Sequence, residues 1–127
     1  MSFQIRYDSQ QRIVKIHLYG EATYENRIDA LRQLVAKYGH QKPLRVLADV
    51  RGVTKMSMSL EEQQHYGVYM AQLPAMTGAR IAILNRAELN TTAVMRTKAR
   101  ENGLELFSFL TEAEAIKWLT STAEVPC

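Results

Sequence analysis

Leu44-Arg45-Val46-Leu47-Ala48-Asp49-Val50-Arg51-Gly52 is the stretch that decides the fold. Its first seven residues are short and nearly continuous in apolar side chains, the pattern of a strand covered on both faces. Such a strand belongs in the middle of a mainly parallel sheet, and parallel neighbours need helical crossovers between them. The flanking sequence supplies both.

Upstream, Phe3, Ile5 and Tyr7 alternate with Gln4, Arg6 and Asp8, and after the polar turn Ser9-Gln10-Gln11 the segment Arg12 to Tyr19 alternates again. This predicts an antiparallel hairpin whose second strand turns Val14, Ile16 and Leu18 one way and Ile13, Lys15, His17 and Tyr19 the other. With only one face fully apolar, that strand is expected near the sheet's edge or partly exposed. Gly20 is expected to end it. Thr23 then offers an N-cap to a helix carrying Tyr24, Ile28, Leu31, Val35 and Tyr38 at helical spacing and closing at Gly39.

Downstream, Ser59 with Glu62 three positions later reads as a capping box, starting a helix through Leu60, Gly67, Met70, Ala71 and Leu73 to a stop at Pro74. Ala79 to Leu84 is a further buried strand. A helix from Glu88 to Asn102 ends at Gly103, Leu104 to Phe109 is the last strand, and Thr111 with Glu114 caps a final helix that turns Ala115, Trp118 and Leu119 inward. The order is ββαβαβαβα: an α/β domain over residues 1–120, with a mostly parallel sheet, an antiparallel first strand and helices on the faces. Residues 121–127 read as a frayed tail.

At 127 residues the chain is long enough for one core without staples. Sixteen Lys and Arg against thirteen Asp and Glu are scattered, and the cluster Arg96, Lys98, Arg100 lacks interleaved aromatics, so no nucleic-acid partner is expected. The single cysteine, Cys127, forms no internal disulfide and fits a reducing cytoplasm. The alternating N-terminus reads as a strand rather than a signal peptide, and no stretch approaches the length of a membrane span.

Three stretches resemble the SpoIIAA-like family of small bacterial proteins, which belong with the STAS domains of anti-sigma-factor antagonists and the Sec14-related lipid carriers: Leu44 to Gly52, Arg80 to Leu84, and Phe107 with Ala113 to Leu119. The resemblance covers about Phe3 to Thr120 and implies a STAS-like sandwich and a non-enzymatic, regulatory or protein-binding role. In the phosphorylation-controlled members a Ser begins the helix after the third strand. Aligning Asp49 with the polar residue ending that strand puts Met58 at this position, flanked by Ser57 and Ser59, which become the possible phosphosites. The Sec14 kinship implies an alternative, a carrier or sensor of a small apolar or lipid-like ligand.

Ligands of open parallel sheets gather beyond the carboxyl ends of the strands, here expected at Glu21 to Thr23, Asp49 to Gly52, and Asn85 to Arg86. Asp49 either caps a loop or contacts a ligand, with Arg51 or Arg86 to pair its charge. Tyr66, Tyr69, Met70 and Leu73, near Met56, Met58 and Met76, form the richest aromatic and Met region; it reads as core or, where exposed, as a docking face. Asp49, Arg51, Tyr66, Met70 and Arg86 are thus the candidate contacts for another protein, a second copy, or a small apolar ligand. His17, His40 and His65 lie apart without metal-ligand spacing, and no nucleophile elbow, phosphate loop or dinucleotide fingerprint occurs. No metal, cofactor or catalytic residue is expected. His65 sits where Glu61 or Glu62 would pair with it, and Glu21 and Asp49 are the one candidate pair of carboxylates.

Overall fold

The structure, a computed structural model, describes residues 3–86 and 93–121. Its elements are β1 (Phe3–Asp8), β2 (Ile13–Ala22), α1 (Tyr24–Tyr38), β3 (Arg45–Met56), α2 (Leu60–Gln72), a short 3-10 turn at Pro74–Met76, β4 (Arg80–Leu84), α3 (Ala93–Glu101), β5 (Glu105–Phe109) and α4 (Glu112–Thr120). The expected ββαβαβαβα order is present. The start expected for the third helix, residues 88–92, lies outside the described residues, as does the tail beyond Ser121.

The five strands stand in sequence order, with β1 antiparallel to β2 and every later pair parallel. That order dictates the layers. Right-handed crossovers that always step in one direction stay on one side of the sheet, so α1, α2 and α3 form a single layer. Only α4, which follows the last strand, folds back over the other side. The larger core, with Val14, Ile16, Leu18, Val46, Ala48, Ile81, Ile83 and Leu106, lies under the three-helix layer. A smaller one joins Ile13, Leu47, Ala82 and Leu84 to Ala115 and Leu119 of α4. Trp118 is not turned fully inward. It is half-buried, edge-on to Phe107 and tilted against Phe109, with ring centroids 5.2 and 5.6 Å away.

Two strands run further than expected. Gly20 adopts φ +74° inside β2 rather than ending it, and β3 continues six residues past Val50. The register explains both. His17 stands opposite Asp49 but Tyr19 opposite Gly52, and Gly20 opposite Val53 but Glu21 opposite Lys55. Each step inserts one extra residue into β3, a bulge that reverses which parity faces inward. Val46, Ala48 and Val50 point to the main core, and after the bulge Val53 does. Gly52 lies at that crossing because a Cβ there would stand 3.1 Å from the Tyr19 Cβ and 3.2 Å from the His17 Nε2.

The caps form as their residues imply. Thr23 closes a capping box with Asn26, Ser59 closes one with Glu62, and the Thr111 hydroxyl accepts the Glu114 N–H. The buried stripe of α1 is Arg27, Ala30, Leu31 and Leu34, one position round from the expected line; Tyr24, Ile28, Val35 and Tyr38 flank it, half-buried. α2 lies between α1 and α3. Its Gly67 permits the close α3 crossing, since a Cβ there would be 2.4 Å from the Met95 carbonyl oxygen.

Candidate functional site

The sequential strand order leaves one surface half covered. α4 packs over β3, β4 and β5, while the outer face of β1 and β2 carries Gln4, Arg6, Lys15, His17 and Tyr19, with no helix above it among the described residues. Cross-strand pairing aligns them in rows: Arg6 opposite Lys15, Gln4 opposite His17, and His17 opposite Asp49. The concavity beside Asp49 encloses about 920 Å³ and extends past the β1 edge to Gln33 and Lys37 of α1.

Asp49 is the centre of this face. It does not lie at a strand end, as expected, but mid-strand, because the bulge carries β3 on to Met56. Residues two apart on a strand share a face, and Arg51 reaches back to Asp49 with a two-point fork: Nε donates to Oδ1 at 3.0 Å and Nη2 to Oδ2 at 2.9 Å. The Arg51 backbone N–H also donates to Oδ1, at 3.0 Å. The His17 Nδ1 lies 3.9 Å from Oδ2. Partial burial acts to raise the Asp49 pKa, but the hydrogen bonds and charge of Arg51, with His17 beyond, outweigh it and hold the carboxyl below its usual value. Asp49 is thus a satisfied anion. Arg51 gains correspondingly: its hydrogen bonds to Asp49 push its pKa up.

Around this pair, Lys15 bridges Asp8 at 3.6 Å and Glu112 at 3.8 Å, tying β2 to the first turn of α4. Arg6 is exposed and forms no ion pair among the described residues.

The other expected site residues do not join this face. Arg86 does not pair with Asp49; its Nη2 donates to the Val53 carbonyl at 3.4 Å. Tyr66 and Met70 are buried in the main core, because α2 is pressed between the sheet and its two neighbouring helices, so they present no open docking face. Met58 is buried as well, while Ser57 and Ser59 on either side are exposed. The Ser57 hydroxyl donates to the Glu21 carboxylate, and Ser59 is engaged in its cap. Glu21 therefore meets Ser57 rather than Asp49, and no carboxylate pair forms between them. His65 meets neither Glu61 nor Glu62 but sits 2.6 Å from the Tyr24 hydroxyl of α1.

Two arginines escaped the sequence reading. Arg80, at the start of β4, donates from Nη1 to the carbonyls of Trp118 at 3.1 Å and Ser121 at 3.0 Å, pairs with Glu105, and stacks on the Trp118 ring. It satisfies the open end of α4, where a cation is favoured. Arg27 is only 3% exposed, with its Nη1 buried and lacking a hydrogen-bond partner. The signal was its spacing, since Arg27, Leu31 and Leu34 stand at i, i+4 and i+7.

Among the described residues no helix is long and apolar enough to cross a membrane, and no cluster of three or more His, Cys, Asp or Glu is placed to hold a metal ion. No protein-family model and no curated protein matches the sequence. The structure is similar to the crystal structure of an uncharacterized protein from the DUF3478 family with a SpoIIAA-like fold from Shewanella loihica PV-4, with TM-score 0.61, 18% identity, and 92% of this chain and 91% of that chain covered. The chain has a SpoIIAA-like fold. The antiparallel first strand and the mixed five-stranded sheet are as the sequence resemblance implied.

Proposed function

We propose that this chain is a non-enzymatic interaction module that docks an acidic segment of a protein partner on the open half of its sheet. The observation that carries the reading is the uncovered β1–β2 face, where Arg6, Lys15, His17 and Tyr19 stand in register beside Arg51. A soluble domain covers or charges such a face, and here Asp49 is already matched by Arg51 while Arg6 forms no ion pair among the described residues. The same pairing argues against catalysis. Both Asp49 oxygens are occupied by a permanent cation, so this carboxylate is not free to act as a base or nucleophile. Control by phosphorylation at Ser57 or Ser59 belongs to this reading, since both hydroxyls are on exposed residues at the start of α2.

A photo-crosslinking amino acid placed at His17, in cells, tests it against the same probe at Thr97 on the exposed side of α3. The expected result is a discrete adduct at position 17 alone, abolished by Arg6→Glu with Lys15→Glu. Equal adducts at both positions, or survival through the charge reversal, would sink the reading.

A second reading, a carrier or sensor of a small apolar or lipid-like ligand, draws on an apolar void of about 50 Å³ between α1, α2 and the sheet. A cavity that holds benzene is about 150 Å³. A lipid-like ligand would have to part α1 from α2, and native mass spectrometry after gentle purification distinguishes this reading by a retained ligand mass.

A further inference from the structure

β1 stands first in the sheet in space as well as in sequence, so one of its two sides has no neighbouring strand. It pairs with β2 from Phe3 opposite Leu18 to Asp8 opposite Ile13 without a bulge, and it contains no proline. In an antiparallel ladder alternate residues exchange N–H and C=O bonds with the partner strand, and the residues between them send those groups the other way. Among the described residues, no backbone group outside the hairpin bonds to the main chain of Gln4, Ile5, Arg6 or Tyr7. Proteins ordinarily blunt such an edge with a proline, a bulge or a charge, and of these β1 has only charge, at Arg6 and Asp8. A straight edge with unpaired main-chain groups is where an extended peptide adds a strand.

The space beside that edge selects the kind of strand. The concavity next to Asp49 is lined by both faces of β1, by Gln4 and Arg6 of the outer and Phe3 and Ile5 of the inner, so it wraps around the free side of the strand and continues to Ala36 and Lys37 of α1. Arg6 on the sheet face and Lys37 on the helix side thus flank one space, both exposed and neither in an ion pair among the described residues. Ile5 and Ala36 give the helix side its apolar contacts. We propose that the acidic partner segment adds to the free edge of β1 as an extended strand, with acidic side chains on the Arg6 face alternating with small apolar ones on the Ile5 and Ala36 face. The proposal rests on the docking reading above and supplies the segment's conformation and pattern. A second copy of the chain fits less well. Residues opposed across paired strands share a face, so the two-fold registers that pair most of β1 centre on Ile5 or on Arg6; the two Arg6 side chains then stand diagonal or directly opposed, on chains that each carry a formal charge of +3.

Amide hydrogen exchange of the isotope-labelled full chain, read by NMR with and without the peptide acetyl-Glu-Val-Glu-Val-Glu-Val-amide at millimolar concentration, tests the proposal. Alternate amides between Gln4 and Asp8 are expected to slow when the peptide binds, while those between them, already bonded to β2, stay as they were. Methylating the peptide's amide nitrogens along one strand edge should abolish binding, and methylating them along the other edge should leave it intact. Arg6→Glu is expected to weaken binding by about tenfold or more, and a peptide with Lys in place of Glu should not bind. Binding without new protection in β1, or equal loss from both methylation patterns, overturns strand addition and leaves the docking of an acidic segment standing. Absence of binding, or equal binding of the Lys peptide, also overturns the proposal, and the crosslink at position 17 then decides separately whether the docking reading falls with it. Protection of β1 that rises with protein concentration in the absence of peptide would give the edge to a second copy and overturn the proposal as well.

Discussion

The Asp49 carboxylate and the Arg51 guanidinium, two positions apart on β3, meet fork to fork along the face of a single strand, with N···O distances of 3.0 and 2.9 Å. Nothing from another element is needed to bring them together. His17 approaches from β2, and Gly52 leaves room for its ring, so one bulge sets both the pair and its neighbour.

This pair carries a pH signature. The Asp49 carboxyl is held below its usual value, so its contribution to stability is fully present above the unfolded pKa of about 3.9 and is lost as pH falls through the lower folded value. Asp49→Asn is expected to be less stable than wild type at pH 7, with the gap closing below about pH 4. Because Arg51 is nearly half exposed, solvent screening keeps the gap small. Urea unfolding at pH 7, 5 and 3 measures it, and a gap independent of pH would contradict the assignment.

Gly67→Ala should destabilise, against the intrinsic helix preference for alanine. On an exposed helix surface the change gains up to about 1 kcal/mol. Here the new methyl would stand 2.4 Å from the Met95 carbonyl oxygen and 3.0 Å from the Lys98 Cβ, so α2 and α3 must separate, at about 1–3 kcal/mol for overpacking. The sign of the change in urea midpoint decides.

Ser57 and Ser59 are expected to respond differently to a negative charge. Ser59→Asp keeps an N-cap as good as serine, so stability changes little, whereas Ser59→Ala loses about 1 kcal/mol. Ser57→Asp places a carboxylate against Glu21, where the serine hydroxyl now donates, and should destabilise the junction of β2, β3 and α2. Hydrogen exchange at Ala22 to Glu25 and at Leu60 to Gln63 reports it; faster exchange in Ser59→Asp than in Ser57→Asp would reverse the assignment.

Arg80→Ala is expected to loosen α4. It removes two donors to the last carbonyls of that helix and the cation stacked on Trp118, at about 1–3 kcal/mol for charge-assisted hydrogen bonds. Trp118 is the sole tryptophan, so its emission should shift to the red under native conditions. An unchanged spectrum would mean that α4 is held by Ala115 and Leu119 alone.

The central strand was legible because a seven-residue stretch with five apolar side chains admits few other homes, and the caps because Thr23, Ser59 and Thr111 each precede a periodic run. The strand's length was not. A bulge reverses parity, so after Val50 the alternation breaks and reads as a strand end although pairing continues to Met56. Tyr66 and Met70 showed their apolar character but not whether a helix would cover them, which depends on α2 having neighbours on both sides. Arg27 was passed over for the opposite reason, since a charge inside a helical stripe is ordinarily read as solvent-facing. The Asp49–Arg51 pair was foreseeable from i, i+2 spacing, whereas the choice of Arg51 over Arg86 needed the strand to be extended at that point.

The sequential strand order also fixes a timetable. Val14 pairs with Val46, Val46 with Ile81, and Ile81 with Leu106, so each strand to leave the ribosome finds its template in the one just before it, and no slot must be held open for a latecomer. The helix layer can close in step with this growth. The reverse side cannot: Leu47, Ala82 and Leu84 wait for α4, which follows all five strands. A nascent chain halted before residue 111 would display that apolar strip to its surroundings, which makes the docking of α4 the step that removes a sticky surface.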